Sequence, residues 1–460
     1  MGVGGFARAT FGRYAAALEF PEFRTMWLAH LSAQAAGWAL IVARAWFVFD
    51  LTHSSLVVGL VTFAAMAPMM IMPPIAGVLA DRVDRRTLLA STYAINMALT
   101  VILAVLAVFG ALNEWIILLL TVGNGLARAT QQSTSQALAA NLVPTHRLLN
   151  ALSLTAATQH MSKLVGPGLV APVLGLLGVA PAFFLCAGLY GLGWVQLRQV
   201  KTRTTGGIKR GERFVDSFGA GIRYTWQQPL IRMVLVMVFF HCGLSMAFES
   251  LLPDYYSERF GSGSSAASAP AHVHDHDAPA PADPGFDGSA TGFATLMTAV
   301  GFGALFGSVL IGGIESSLAR GRLYLVMGVL SGLGLALLAL APTLPVALLA
   351  AVIIGGSQAA FMTMGQALMQ ALAANEFRGR IASLNLLSFG GIMAVMNLAN
   401  GALGTHVGAA LILLVDGLLF AAVMLVSLAF ATPRRVYLDG MPARTVASSE
   451  APAPAASLAR

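Results

Sequence analysis

The sequence predicts an all-α membrane protein with twelve transmembrane helices in two halves of six. Three observations predict it. Twelve segments rich in Leu, Ala, Val, Met, Phe and Gly follow one another, most of them long enough to supply the ~20 apolar residues that a bilayer core requires. All but four of the 27 Lys and Arg lie in the N-terminal arm, in every second gap between segments, or in the C-terminal tail. The exceptions are Arg259 in an odd-numbered gap and Arg44, Arg128 and Lys163 inside segments, Arg232 at the edge of the seventh segment being counted with the gap before it. Cytoplasmic loops carry the Lys/Arg excess, so this alternation puts both termini in the cytoplasm and makes the number of spans even. Finally, 57% of the residues are hydrophobic and 10% charged, against about 25% charged in soluble domains.

The elements follow in order. A cytoplasmic arm, 1–26, has no apolar core before Trp27 and so does not read as a cleavable signal; the first span is the targeting signal. Segments 27–49, 56–80, 88–112, 115–140, 148–178 and 180–197 make the first half, 27–197. A basic linker, 198–230, places Phe214, Phe218, Ile222 and Trp226 four residues apart, the pattern of an amphipathic helix lying on the inner membrane surface. Segments 231–252, 290–314, 324–341, 344–370, 381–404 and 408–431 make the second half, 231–431, and 432–460 is a disordered cytoplasmic tail.

Within the second half, 253–289 reads as a disordered external loop, because its Gly, Ser, Ala and Pro cannot bury a core. His272, His274 and His276 alternate there with Val273 and Asp275. These are metal-ligand types, but a flexible run offers nothing to orient them, and a plain spacer is the expectation. The net charge of +7 is spread over many short loops, which argues against nucleic acid as a partner. Cys186 and Cys242 fall within spans and imply no disulfide framework.

Polar side chains within spans face the bundle interior or a wet cavity, and ionisable ones are rare and functional. The first span carries His30, Gln34, Trp38 and Arg44; the fourth carries Asn124, Arg128 and Gln132 among other polar residues; the fifth carries Lys163. The seventh has His241, Ser245 and Glu249 at four-residue steps, which puts them on one face of an unbroken helix. The tenth has Gln358 and Gln366, and the twelfth Asp416. The third, sixth and ninth spans are almost wholly apolar, as lipid-facing helices are. The first five spans offer no mid-membrane acid for Arg44, Arg128 and Lys163, so these cations are expected to meet Glu249 or Asp416 across the cavity, or an anionic group on a ligand.

The sharpest local motif runs Gly77-Val-Leu-Ala-Asp81-Arg82-Val-Asp84-Arg85-Arg86. It resembles the cytoplasmic loop signature of the major facilitator superfamily, with Asp84 where the superfamily has glycine. That change, the stretches Asn141–Pro144 and Leu149–Ala151 running on to Gly166-Pro167-Gly168, and Arg378-Gly379-Arg380-Ile381-Ala382-Ser383 resemble the subgroup of enterobactin exporters and macrolide-efflux permeases. Gly166 and Pro167 resemble the kink motif of the superfamily's exporters.

The resemblance implies a secondary transporter working by alternating access, with proton-coupled efflux of an amphiphilic small molecule such as a siderophore or drug. It implies the cytoplasmic membrane as location, spans one, four, seven and ten around the cavity, a proton gradient and a lipid bilayer as partners, function as a monomer, no cofactor and no enzymatic reaction. Gly77, Asp81, Arg82, Arg85 and Arg86 are then the gating loop, and Glu249, His241 and Asp416 the candidates for proton coupling. An importer or lipid flippase on the same fold, and a receptor or scaffold that transports nothing, remain as alternatives.

Overall fold

A computed structural model describes residues 16–144, 147–202, 214–261, 289–312, 316–374 and 377–440. Among them ten helices are long and apolar enough to cross a membrane, and the bent pair Gly219–Gln227 and Pro229–Ser245 makes an eleventh. The fourth segment completes the set by length: it is a helix of 28 residues, Glu114–Asn141. Its Asn, Gln, Ser and Thr lower its hydropathy below that of a lipid-facing span.

The helices are α1 (Pro21–Thr52), α2 (Ser55–Met66), α3 (Pro68–Arg82), α4 (Arg85–Val108), α5 (Glu114–Asn141), α6 (Leu148–Leu177) and α7 (Val179–Leu197) in the first half. The linker holds α8 (Phe214–Gln227). The second half has α9 (Pro229–Phe240), α10 (Leu252–Phe260), α11 (Ser289–Gly312), α12 (Ser317–Ala339), α13 (Leu344–Leu372), α14 (Arg378–Leu387), α15 (Met393–Val407) and α16 (Ala409–Val426), followed by α17 (Ala431–Asp439). The second span is α2 with α3, broken at Pro68. The seventh is α9 with a π-turn at His241–Ser245, and the eleventh is α14 and α15 joined by a π-turn at Ser388–Ile392.

The two halves share one turn. Gly178 joins the fifth span to the sixth at φ +86°, and Gly408 joins the eleventh to the twelfth at φ +83°. A side chain is rarely tolerated in that backbone region, so glycine stands at both one-residue turns.

Three boundaries differ from the sequence expectation. The first helix starts at Pro21, inside the expected arm, because proline suits a first helical turn. The loop expected to lack structure from 253 begins as α10. Pro253 again sits in a first turn, Tyr255 and Tyr256 are buried, the Tyr255 hydroxyl donates to the Leu338 carbonyl, and Arg259 donates to the Ala341 carbonyl at 3.1 Å. The rest of that loop, with His272, His274 and His276, lies outside the described residues. The tail begins as α17, where Val436 and Tyr437 are buried and Tyr437 reaches the Ser427 hydroxyl at 3.0 Å.

The linker helix α8 meets α9 at 110°. Its Tyr224 stacks on Phe377 with ring centroids 4.1 Å apart and accepts from the Ala374 amide at 3.2 Å. Ile222 and Trp226 are exposed.

The two ends of the bundle are joined differently. One continuous apolar core unites the first half with the end of the second half near α10, where Phe248, Leu251, Tyr255, Phe293 and Met297 are buried. The basic end of the second half has a second core around Val234, Tyr324, Phe361, Met364 and Tyr437, which Met66 of the second span also joins. At the shared end α2 crosses α15 closely: a Cβ on Gly59 would lie 2.7 Å from the Asn397 carbonyl, and one on Gly401 2.4 Å from the Ser55 carbonyl. The Ser55 hydroxyl donates to Asp254 at 2.5 Å across the same seam. The fifth and eighth spans touch in the same manner, with Gly301 against the Lys163 carbonyl.

Candidate functional site

The interior of the first half is an amide network. Gln34 donates to Gln132 at 3.2 Å, Gln131 donates to Gln34 at 3.3 Å, and Gln159 donates to Gln132 at 2.7 Å. Four-residue spacing on α5 and α6 brings these groups to one face each, so one helix turn separates the amides from the cations above them. Trp38 lies at the centre. Lys163 Nζ is 4.3 Å from its ring centroid and the Arg128 guanidinium carbon 5.1 Å, within range for cation–π attraction. Trp38 is 4% exposed, and its indole N–H has no hydrogen-bond partner among the described residues.

Gly166 lets α6 come this close. A Cβ there would lie 2.5 Å from the Ala35 carbonyl and 2.9 Å from Trp38 Cβ. Pro167 is buried, and α6 runs through both Pro167 and Pro172 without a break in helical structure.

Glu249 reaches this cluster from the second half. The residue is 5% exposed, Oε2 has no hydrogen-bond partner among the described residues, and the charges acting on it are Lys163 first and Arg128 second. It does not share a helical face with His241 and Ser245, as four-residue spacing predicted. The π-turn at His241–Ser245 adds a residue to the turn, and 246–251 are turns outside any helix. His241 and Ser245 therefore point elsewhere. His241 Nε2 lies 3.2 Å from the Ser331 hydroxyl on α12, and Ser245 lies 2.5 Å from the same hydroxyl. Gln358 donates to the Ser245 carbonyl at 2.6 Å, and the His241 ring packs on Phe361 and Phe420. The ninth span, read as almost wholly apolar, thus contributes the buried Ser331.

An unwound stretch at membrane depth exposes peptide groups that lipid cannot satisfy. Two asparagines of α15 do so here. Asn397 accepts from the Ser250 amide at 3.1 Å, and Asn400 donates to the Ala247 carbonyl at 2.9 Å. Asn400 also donates to Asp416 at 2.8 Å, which ties that acid to the scaffold of the broken span rather than to the cations. Sequence reasoning passed over both asparagines; the signal that could have found them is two amides three residues apart in an otherwise apolar span.

The remaining residues singled out from sequence are dispersed. His30 lies 3.3 Å from the Tyr93 hydroxyl, and Asn124 donates to Asn96 at 3.0 Å, so both join α4. Gln366 is exposed on α13. Arg44 is buried beside Tyr190 and Cys186. At the basic end, Asp84 caps α4, accepting from the Thr87 amide at 3.0 Å and hydroxyl at 2.7 Å, a role that glycine could not fill. Arg85 donates to Asn141 at 2.5 Å on α5, Arg86 donates to the Arg198 carbonyl at 2.7 Å after α7, and Arg82 is exposed. These contacts of the arginine loop lie within the first half. Gly77 and Asp81 lie in α3, and the surroundings of both are outside the described set.

Comparison with known proteins agrees with this architecture. The chain is 23% identical over 386 residues to the multidrug efflux pump Tap of Mycolicibacterium fortuitum, covering 82% of this chain and 85% of Tap. It is 26% identical over 153 residues to the staphyloferrin A transporter of Staphylococcus aureus, covering 33% of this chain and 38% of that protein. Among solved structures, the nucleoside transporter NupG superposes with a TM-score of 0.64 at 11% identity, covering 89% of this chain and 100% of NupG, which is a likeness of fold. The family described as "Transmembrane secretion effector" matches residues 13–266, and that described as "Major Facilitator Superfamily" matches residues 278–455. The chain therefore belongs to the transmembrane secretion effectors of the major facilitator superfamily.

Proposed function

We propose that this transporter exports an amphiphilic small molecule by alternating access, in exchange for protons. It works as a monomer in the cytoplasmic membrane, with the basic end and both termini inside. The observation that carries the reading is Glu249, a buried carboxylate on an unwound stretch of the seventh span, facing Lys163 and Arg128 of the other half with one oxygen unpartnered among the described residues. A donor group on the substrate and a proton compete for that oxygen, so taking up one releases the other. That exclusion is what an antiporter requires. Trp38 offers an apolar face, and Gln34, Gln132 and Gln159 offer amides at the edge of the same cluster, the mixture that suits an amphiphile.

The second core at the basic end supports rocking of the halves about the end where they share one core. The likeness to Tap supports efflux.

Inside-out vesicles test the reading directly. Drug-like and siderophore-like compounds are expected to accumulate when the interior is acidified, and to release protons as they do. Uptake that needs the opposite gradient would make the protein an importer, and binding without flux would make it a receptor.

A further inference from the structure

Arg44 is the intramembrane cation that the Glu249 cluster does not serve. It is 4% exposed, and its Nη1 has no hydrogen-bond partner among the described residues. The groups acting on it are the Tyr190 hydroxyl, the Arg128 guanidinium and the Cys186 thiol; no carboxylate is among them. Glu249 acts on Lys163 and Arg128 and not on Arg44. An unpaired charge in such a place is costly, so a counter-ion is wanted.

The structure supplies room for one. A small pocket between α1 and α2 is lined by Arg44 together with Ile41, Ala45, Val61, Thr62 and Met66. The Thr62 hydroxyl is spent on the Val58 carbonyl at 2.8 Å, which leaves Arg44 as the pocket's one charged donor, and the other walls are hydrocarbon. Arg44 is six residues beyond Trp38 on α1, about 9 Å along the axis, so the pocket is separate from the cation–tryptophan cluster.

We propose that this pocket, about the size of one water molecule, is a small-anion site, in which a halide or formate neutralises Arg44 and braces α1 against α2. The shared chemistry is a compact monovalent anion accepting from a guanidinium among apolar walls. Its role is to hold charge balance inside the first half, at a cation that Glu249 does not reach.

The test uses the purified full chain in nanodiscs. Thermal unfolding is followed in chloride, bromide, formate and gluconate at equal ionic strength, gluconate being too large for the pocket. The transition is expected to rise with the logarithm of halide concentration. At a hundredfold excess over the dissociation constant, the ratio of folded to unfolded protein is expected to increase by roughly a hundredfold. Formate acting as well as chloride assigns the site to formate as well; halides acting alone restrict it to them. Arg44→Lys is expected to keep the dependence and Arg44→Gln to abolish it.

If Arg44→Gln fails to fold, the wild-type anion series decides together with diffraction from bromide-soaked crystals, where an anomalous peak beside the Arg44 guanidinium is expected. Equal stability in chloride, formate and gluconate, with no bromide peak, would overturn the proposal and leave the pocket to water.

Discussion

The two halves of the transporter share a fold and fill it with opposite chemistry. The first half lines its interior with amides and places two cations over Trp38, all on unbroken helices. The second half packs His241 among Phe361, Phe420 and Ser331, and presents its one acid at the cation cluster, Glu249, from a stretch that is not helical. A rigid cationic wall thus faces a carboxylate on a backbone with fewer intrahelical hydrogen bonds to hold it. The half with the broken helix is the half that carries the proposed proton carrier.

Substitutions can break this contrast or sharpen it. The largest effect is expected at Glu249. Glu249→Gln is expected to reduce proton-driven flux to background in proteoliposomes, while the thermal transition of the protein stays within a few degrees. If the exchange of charges in Glu249→Lys with Lys163→Glu restores full proton-driven flux, the pair is a structural lock and Glu249 is not the proton carrier.

The next effect is expected at the seam. Gly301→Ala places a Cβ 2.2 Å from the Lys163 carbonyl, and overpacking of this kind costs about 1–3 kcal/mol. Thermal unfolding reads the loss directly. An unchanged transition would mean that α6 and α11 separate at no cost.

A third prediction compares the polar supports of each half. Asn397→Ala leaves the Ser250 amide buried without its acceptor, a loss of about 1–3 kcal/mol. Gln34→Ala leaves an amide network that can rearrange, because Gln132 keeps Gln159 as a partner, and a smaller loss is expected. Hydrogen exchange should show the Asn397 variant opening at 246–251. Equal protection in both variants would mean that the broken span is held as firmly as the unbroken ones.

The smallest effect is expected at Asp254. Burial raises its carboxyl above the ordinary range, with the Ser55 hydrogen bond acting the other way, and burial with the neighbouring Asp254 raises Glu258. A raised acid contributes stability at low pH and loses it as pH climbs through the folded value. The contact between α2 and α10 is therefore expected to strengthen as pH falls from neutral toward about 4. Asp254→Asn is expected to flatten that dependence, measured as the thermal transition across the pH range. A wild-type transition that falls on acidification through this window would contradict the assignment.

Much of the fold was legible from the positions of Lys and Arg alone, because each loop's charge reports a side of the membrane independently of any helix propensity. The polarity of the fourth segment also marked it as an inner span. Less of the site was legible. Spacing shows which residues share a face only while the helix is regular, and the π-turn at His241–Ser245 removed that condition between Ser245 and Glu249. Spacing also leaves open which neighbour a polar face meets: His30 and Asn124 turn to the third span rather than to the cluster around Trp38. The helices α10 and α17 were missed because each is short and gains its stability from buried tyrosines, a tertiary effect with no long periodic signal.

The glycine crossings have a mechanical consequence. Where Gly59 meets Gly401 and Gly301 meets the Lys163 carbonyl, backbone lies on backbone with no side chain between. Interdigitated side chains act like gear teeth and permit only discrete steps; a bare backbone surface acts like a plain bearing. The two bearings join the second span to the eleventh and the fifth to the eighth, positions related by the repeat of the two halves. In the rocking proposed above, these two crossings are where one half turns against the other with no side chains to unmesh. They also mark where a lock would be fitted: a single methyl group on either surface is a wedge, and a wedge on one bearing tilts the pivot toward whichever mouth lies opposite.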